Sequence, residues 1–227
     1  MSKHLKIDFV SDVSCPWCAI GLAGLQRALE RTTGEVDVEL HFQPFELNPD
    51  MPPEGQDIDE HLGEKYGASP EQSAKNREAI RERGASVGFD FRMEKRGRIY
   101  NTFDAHRLLH WADEEGEGRQ LALKQALFKA YFTEGKNPGD IEVLVAAAQE
   151  AGLDPARARE ILVAGTYTEE VREQEQFYLR NGIHAVPAVI INDRHLIQGG
   201  QPPEAFEQAL RQIAAGVAEK GVERSAG

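Results

Sequence analysis

The amino-acid sequence predicts an α/β fold. A strand, a helix and a second strand are expected near the start of the chain, and a helix, two short strands and a helix near its end. Between these parts, residues 47–165 have the apolar spacing of helices rather than the alternation of strands. We therefore expect one domain formed by residues 1–46 together with residues 166–227, and an inserted helical domain formed by residues 47–165, called the helical block below.

The first predicted strand leads directly into the only two cysteines of the chain, Cys15 and Cys18. Residues 5–13 have β character, and residues 19–31 carry an apolar stripe at helical spacing. Pro16 suits the first helical position, where its missing N–H group costs nothing. The sequence thus places Cys15 at the N-terminus of a helix.

A cysteine at a helix N-terminus is favoured as a thiolate, because the free N–H groups and the helix macrodipole stabilise an anion there. Cys18 lies three residues after Cys15 and is close enough to form a disulfide with it. We expect Cys18 to face inward. This arrangement predicts a dithiol redox centre.

Three other roles for the cysteine pair fit the sequence less well. A structural zinc site needs four ligands, and no second cluster with ligand spacing is present. If the cysteines were an inert buried pair, the presence of Pro16 and Trp17 between them at a helix start would be a coincidence. A purely structural disulfide is not expected in a chain without a secretory context.

The composition of the chain disfavours several kinds of partner. Its formal net charge of −12 argues against nucleic acid or an anionic membrane, because both require basic patches. No window approaches the roughly 18 apolar residues of a membrane span. The chain enters its first strand without an apolar signal segment, so we expect a cytoplasmic location, where a Cys-x-x-Cys pair is more often catalytic than structural.

The following elements are predicted from periodicity and from helix-start signals. Residues 36–42 alternate as a half-buried strand and complete a β-α-β unit. In the helical block we expect a Ser69–Gln72 capping box, and Asp140 and Asp154 as N-caps. The predicted helices cover residues 57–66, 70–86, 101–115, 116–133 and 141–151, with a shorter one after Asp154 that Gly165 ends. Residues 88–100 are expected to be irregular, with their basic residues in a solvated loop (Arg92, Lys95, Arg96 and Arg98).

The last part of the chain predicts a helix, a hairpin and a final helix. A second capping box, Thr166–Glu169, is expected to open a helix that ends near Arg180. A buried Val-Ile strand follows Pro187, and a turn at Asn192–Asp193 leads to a second strand. Pro202–Pro203 then opens a helix to about residue 217, followed by a charged tail that should fray.

This order of elements resembles the thioredoxin fold with a helical insertion, the pattern of the DsbA superfamily. Two stretches are most similar to its FrnE-like branch, which is related to 2-hydroxychromene-2-carboxylate isomerases. They are Ser14-Cys15-Pro16-Trp17-Cys18 with Ile20-Gly21, and Asn101-Thr102 with Ala105-His106-Arg107-Leu108. The resemblance covers about residues 4–217.

The resemblance implies that Pro187 is cis and lies across from the dithiol. A proline there prevents the strand from continuing its ladder, which leaves the backbone of Val186 free to pair with an extended substrate. The resemblance implies a catalytic set and a substrate-binding set. The catalytic set is Cys15, Cys18 and Pro187, and the substrate-binding set is Pro16, Trp17, Val186, Asn101 and His106.

Other polar residues have open roles. Thr102, His106 and His110 share one helix face, but no third metal ligand is indicated, so we expect a packed or surface face and no metal site. Asp12 could take the proton of Cys15, raise its pKa, or simply cap the strand end. His184 is expected near the mouth of the active site, or as an ordinary loop residue.

The sequence therefore predicts a thiol–disulfide oxidoreductase that acts on thiol- or disulfide-bearing proteins or small molecules. Cys15 would attack a substrate disulfide and Cys18 would resolve the mixed disulfide, with no metal or organic cofactor and with glutathione or another thiol as reductant. One alternative is a glutathione-dependent isomerase of the hydroxychromene type, whose relatives carry a serine where Cys15 stands. The other is a non-catalytic, chaperone-like binding module. The direction of the reaction and the oligomeric state stay open.

Overall fold

The computed structural model describes residues 2–116 and 118–216. Its strands are β1 Lys3–Ser11, β2 Val36–Pro44, β3 Gln56–Asp57, β4 Arg98–Ile99, β5 Ala188–Ile191 and β6 His195–Gln198. Its α-helices are α1 Pro16–Arg31, α2 Ile58–Tyr66, α3 Pro70–Val87, α4 Phe103–Glu114, α5 Arg119–Phe128, α6 Ile141–Glu150, α7 Pro155–Ala164, α8 Thr168–Arg180 and α9 Pro203–Ala214. A short 3-10 helix covers Met93–Lys95, and a π-helical turn covers Lys129–Thr133.

The main sheet has four strands in the order β2-β1-β5-β6. β1 pairs with β2 in parallel, with Phe9 opposite Phe42. β1 pairs with β5 in the antiparallel sense, and β5 and β6 form the predicted antiparallel hairpin. The first strand is therefore central, and the loop that follows it, which holds Asp12, leaves from the middle of the sheet.

Both faces of this sheet are covered by helices. On one face, Phe9 and Val189 share an apolar cluster with residues of α1 and α9, including Leu25 and Phe206. On the other face, Val10 and Ala188 pack with Tyr178 of α8. Because successive side chains of a strand point to opposite faces, the run from Ile7 to Val10 is buried on both sides.

The helices of the helical block have a core of their own. Leu108, Leu127, Leu144 and Ile161 come from α4, α5, α6 and α7 and belong to one buried cluster. Val13, from the loop after β1, belongs to the same cluster. This contact fixes the loop that precedes Cys15 against the helical block.

Most predicted helix starts are confirmed. The Ser69–Gln72 capping box forms, and Asp140 and Asp154 each accept hydrogen bonds from two backbone N–H groups of the helix they precede. Asp57 does the same for α2. The turn between β5 and β6 has Asn192 and Asp193 at positive φ, as the predicted tight hairpin requires.

Three local predictions are wrong. The Thr166–Glu169 capping box does not form, because α8 begins only at Thr168, after Tyr167 in the left-handed region, and has no side-chain cap. The single helix expected over residues 116–133 instead begins at Arg119 and ends in the π-helical turn. Arg96 is buried rather than solvated, because its guanidinium lies over aromatic rings.

The proposed division into two domains, at 46/47 and 165/166, stays a prediction. All four strands of the main sheet lie outside the helical block, and only the two-residue strands β3 and β4 lie within it. The expected end of the last helix near residue 217 and the fraying tail lie outside the described residues. Within residues 2–116 and 118–216, no helix is long and apolar enough to cross a membrane.

Candidate active site

Cys15 and Cys18 lie at the start of α1, as the sequence predicts. Cys15 is the N-cap residue, with extended backbone angles (φ −89°, ψ 113°), and Pro16 occupies the first helical position. No side chain caps this helix. Both cysteines are free thiols. Cys15 keeps 4% of its surface exposed and Cys18 none, so only Cys15 is accessible to a reactant from outside.

The loop before β5 lies directly against Cys15. The Val186–Pro187 peptide bond is cis, and the Cys15 Sγ donates a hydrogen bond to the Val186 carbonyl at 3.8 Å. Pro187 is held in place because its carbonyl accepts from the Gly199 backbone N–H at 2.8 Å. Gly21 of α1 makes this approach possible, since a Cβ there would lie 3.2 Å from Pro187 Cγ.

Residues 6–211 of the chain match the DSBA-like thioredoxin domain family. The chain belongs to this family. Two similar proteins agree with the assignment. The uncharacterized protein YwbO of Bacillus subtilis (strain 168) is 29% identical over 211 residues, which is 92% of this chain and 96% of YwbO. The crystal structure of the probable DsbA oxidoreductase SCO1869 from Streptomyces coelicolor is 33% identical, with a TM-score of 0.84, and covers 98% of this chain and 96% of that chain.

A further similar structure is a 2-hydroxychromene-2-carboxylate isomerase, at 17% identity and a TM-score of 0.67, with coverage of 94% of this chain and 100% of that chain. This similarity shows the fold alone. Together the comparisons confirm the thioredoxin-like fold and the DsbA resemblance expected from the sequence. The finer placement in the FrnE-like branch stays a prediction.

Two exposed aromatic side chains lie close to the dithiol of this DSBA-like chain. Trp17, between the cysteines, is 41% exposed, and Gly200 packs closely on its backbone carbonyl. Tyr66, at the end of α2, is also exposed, and its partial burial and the charge of Cys15 raise the pKa of its hydroxyl. Tyr66 is not predicted as a site residue from the sequence, because no motif connects the end of α2 to a cysteine in another part of the fold.

Asp12 lies beneath the dithiol and is completely buried. Its carboxylate accepts hydrogen bonds from the Ser14 N–H and hydroxyl and from the Leu47 N–H, the last at 2.7 Å. Burial by itself raises the pKa of Asp12, but the neighbouring His106 and these donors outweigh burial and lower the pKa to about 2. Asp12 therefore stays ionised at neutral pH and is only a weak proton acceptor there, because its pKa is so low. Of the three roles left open by the sequence, the geometry favours a cap at the end of β1, because Asp12 accepts hydrogen bonds from Ser14 and Leu47.

His106 and Asn101 contact residues around the dithiol. His106 is buried, and its Nε2 lies 3.6 Å from the Asp12 Oδ1, an ion-pair distance without a hydrogen bond. The Asn101 amide donates to Glu46 and to the Pro49 carbonyl. Their parts in substrate binding stay predictions.

The remaining polar candidates differ in their exposure and contacts. Thr102 is buried, whereas His110 is partly exposed and its ring packs on Tyr167. His184 is an exposed residue of the loop before Pro187. In the described parts of the chain, no group of three or more His, Cys, Asp or Glu residues could hold a metal ion.

Two charged residues of the helical block approach the dithiol and were missed as site residues. The Arg96 guanidinium donates to the Ser14 carbonyl at 3.3 Å and lies over the rings of Tyr131 and Phe132. Lys124 of α5 is completely buried and lies over the rings of two phenylalanines. The signal available in the sequence was a lysine on the otherwise apolar face of a helix, which could have been read as a buried charge.

An acidic pair lies behind His106. The side chains of Glu46 and Glu175 both bind Arg172, whose guanidinium stacks on the Phe103 ring at 3.7 Å. Burial, followed by the charge of Glu175, raises the pKa of Glu46 to about 7, although Arg172 opposes the shift. The side chains of both glutamates are buried.

Proposed function

We propose that this protein is a thiol–disulfide oxidoreductase whose reactive group is the Cys15–Cys18 dithiol. The observation that carries the proposal is the position of Cys15. It is the uncapped N-cap residue of α1, it is the accessible cysteine of the pair, and its sulfur contacts the Val186 carbonyl. Unpaired N–H groups at a helix start stabilise a thiolate, which is the nucleophile in thiol–disulfide exchange.

The reaction takes two exchange steps. The Cys15 thiolate attacks one sulfur of a substrate disulfide, the substrate S–S bond breaks, and one substrate thiolate leaves. Cys18 then attacks the Cys15 sulfur of the mixed disulfide, and the second substrate thiolate leaves. The substrate gains two electrons, the dithiol loses two, and the two substrate thiolates take up protons. In the reverse direction the same steps oxidise a substrate dithiol.

Under this proposal the dithiol itself carries the electrons, so neither a metal nor an organic cofactor takes part. Glutathione or another thiol would return the oxidised pair to the dithiol, and the substrates would be proteins or small molecules that carry thiols or disulfides. The cytoplasmic location expected from the sequence agrees with a thiol reductant and stays a prediction.

Reduction of insulin by dithiothreitol tests the proposal. The wild-type protein should accelerate precipitation of the insulin B chain over dithiothreitol alone, and Cys15→Ser should not. Cys18→Ser should form a mixed disulfide with insulin that mass spectrometry identifies, because the first attack remains and the resolving step is lost.

Each alternative gives a different result in this assay. A hydroxychromene-type isomerase or a chaperone-like module would give no acceleration, or the same acceleration in wild type and Cys15→Ser. Either result would refute the oxidoreductase proposal. Nothing in the structure favours the isomerase beyond the shared fold.

A further inference from the structure

Lys124 is a fully buried lysine whose amine has no hydrogen-bond partner. None of its surface is exposed, and its Nζ makes no hydrogen bond within the described chain. The Nζ lies 5.8 Å from the centre of the Phe42 ring and 5.2 Å from that of Phe128. An unpaired buried ammonium is costly, because ring faces replace only part of its lost hydration. Packing alone therefore gives no reason for a lysine at this position.

The charge of Lys124 acts on the dithiol across the apolar cluster that contains Cys18, Phe42 and Phe128. Its charge interacts most strongly with Cys18, then with Asp12 and then with Cys15. Cys18 and the two phenylalanines belong to the same buried cluster. The charges that act on Lys124 thus belong to Cys18 of α1, to Cys15 at its N-cap and to Asp12 in the loop after β1. Phe42 of β2 and Phe128 of α5 contribute ring faces.

The resolving step of the proposed reaction requires a proton acceptor near Cys18. Cys18 must lose its proton before it can attack the mixed disulfide, yet it is completely buried. Burial, followed by the hydrogen bond and charge of Cys15, raises the pKa of Cys18 well above its usual value, and Lys124 opposes the shift. Asp12 is a weak proton acceptor at neutral pH, because its pKa of about 2 makes the protonated carboxyl group unfavourable there.

We propose that Lys124 is the proton acceptor for Cys18 when Cys18 resolves the mixed disulfide. The inference rests on the proposed oxidoreductase function. The amine has no hydrogen bond within the described chain, so it must first come within hydrogen-bond distance of the Cys18 thiol. Its lone pair then takes the proton of the thiol, giving an ammonium next to a thiolate. The thiolate forms the bond to the Cys15 sulfur, and the substrate sulfur leaves with the electron pair and is protonated by water. The ammonium then loses its thiolate partner and returns its proton to solvent.

The environment of Lys124 suits this role. Burial lowers its pKa to about 8, although the charges of Cys18, Asp12 and Cys15 oppose the shift. A substantial fraction of the amine is then neutral near neutral pH, as a proton acceptor requires. An arginine could supply the same positive charge but could not accept the proton, because a guanidinium stays protonated in proteins.

A single-turnover reaction with Ellman's reagent tests the inference. The first thionitrobenzoate leaves when Cys15 attacks the reagent, and the second leaves when Cys18 resolves the adduct, so the two steps are read separately. The variants are Lys124→Met, which removes the amine at similar volume, and Lys124→Arg, which keeps the charge. Lys129→Met is the matched control, because Lys129 follows α5 directly but its amine is exposed and paired with Glu150.

We expect the second release at pH 7.5 to slow by about tenfold or more in both Lys124 variants, since general base catalysis typically contributes 10²–10⁴-fold. The first release should stay within about twofold in every variant. In the wild type, the rate of the second release should rise with pH, reach about half of its maximum near pH 8 and level off near pH 9, where about nine tenths of the amine is neutral. In Lys124→Met it should keep rising beyond that pH.

Three results would overturn the inference. The first is a second release in Lys124→Met as fast as in the wild type. The second is rescue by Lys124→Arg, which would show a purely electrostatic role. The third is a wild-type profile that does not level off near pH 9, a measurement that needs no variant to fold. Failure of the first release would instead refute the proposed function, so the two failures are distinguishable.

Discussion

Arg107 and Lys124 are two buried cations on the neighbouring helices α4 and α5, and they differ in how their charge is satisfied. Arg107 is 4% exposed, and its guanidinium donates five hydrogen bonds. Two go to the Asp104 carboxylate, and three go to backbone carbonyls of residues 161, 162 and 166 at the end of α7. Lys124 is more deeply buried, and its amine makes no hydrogen bond within the described chain.

The difference separates a structural charge from a functional one. Arg107 donates to three carbonyl groups at the end of α7, so its charge belongs to the packing of the helical block. Lys124 donates to no such group within the described chain and its charge instead acts on the dithiol, and perturbed titratable groups of this kind concentrate at functional sites. Removing the first cation should therefore cost stability, and removing the second should cost activity.

The largest expected effect is that of Arg107→Met. Loss of the guanidinium leaves the Leu162 and Thr166 carbonyls without this donor, at about 1–3 kcal/mol each, and removes the packing of the buried side chain. The free energy of unfolding should therefore fall by about 3–5 kcal/mol. Urea unfolding followed by circular dichroism measures this. Arg157→Met is the matched control, because the Arg157 side chain of α7 is 43% exposed and pairs only at the surface with Glu160, and its loss should stay within about 0.5 kcal/mol. Equal losses in both variants would contradict the comparison.

A smaller and pH-dependent effect is expected for Lys124→Met. The pKa of Lys124 is about 8 in the folded chain and 10.5 in the reference state. Below pH 8 the folded protein must hold a buried ammonium, whereas the unfolded chain holds a hydrated one, so the charge destabilises the fold. Between pH 8 and 10.5 the folded state loses this proton first, and the wild type gains stability with rising pH.

The variant should therefore be more stable than the wild type by about 3 kcal/mol at pH 7, and this advantage should disappear as the pH approaches 10.5. Denaturant unfolding of both proteins across this pH range measures the difference. If Lys124→Met were less stable than the wild type at pH 7, the amine would have a stabilising partner, and the contrast with Arg107 would fail.

The smallest effect is expected at the other end of α7. Asp154 caps its N-terminus by accepting hydrogen bonds from the backbone N–H groups of Ala156 and Arg157. Asp154→Ala should lower the free energy of unfolding by about 1 kcal/mol, less than Arg107→Met, because these N–H groups can be rehydrated. Insulin reduction should be unchanged. If Asp154→Ala lowered the free energy of unfolding as much as Arg107→Met, the buried contacts at the C-terminal end of α7 would be worth no more than the exposed cap at its N-terminal end.

Much of the fold and the central part of the candidate site could be predicted from the sequence. Pro16 after Cys15, the caps at Asp140 and Asp154, and the turn at Asn192–Asp193 all act within a few residues of the groups they contact. Such short-range signals are readable without tertiary structure. The failed capping box at Thr166–Glu169 shows the limit, because Tyr167 enters the left-handed region there and the helix starts after it.

The surroundings of the dithiol could not be predicted in the same way. Arg96 reads as part of a basic, solvated loop, yet the rings of Tyr131 and Phe132 bury it against Ser14. His106 reads as a member of a histidine face, yet it lies next to Asp12. In both cases the deciding contact comes from a segment far away in the chain.

The sequence by itself determined the α/β order of elements, the dithiol at the start of a helix and the presence of Pro187 before a buried strand. Each depends on residues that are adjacent or regularly spaced along the chain. The tertiary structure alone decided that Asp12 accepts a hydrogen bond from Leu47, that Tyr66 reaches the charge of Cys15, and that the buried charge of Lys124 interacts with Cys18. Burial and charge interactions depend on distance in space, so only the folded chain establishes which cysteine is accessible and which charges lie beneath it.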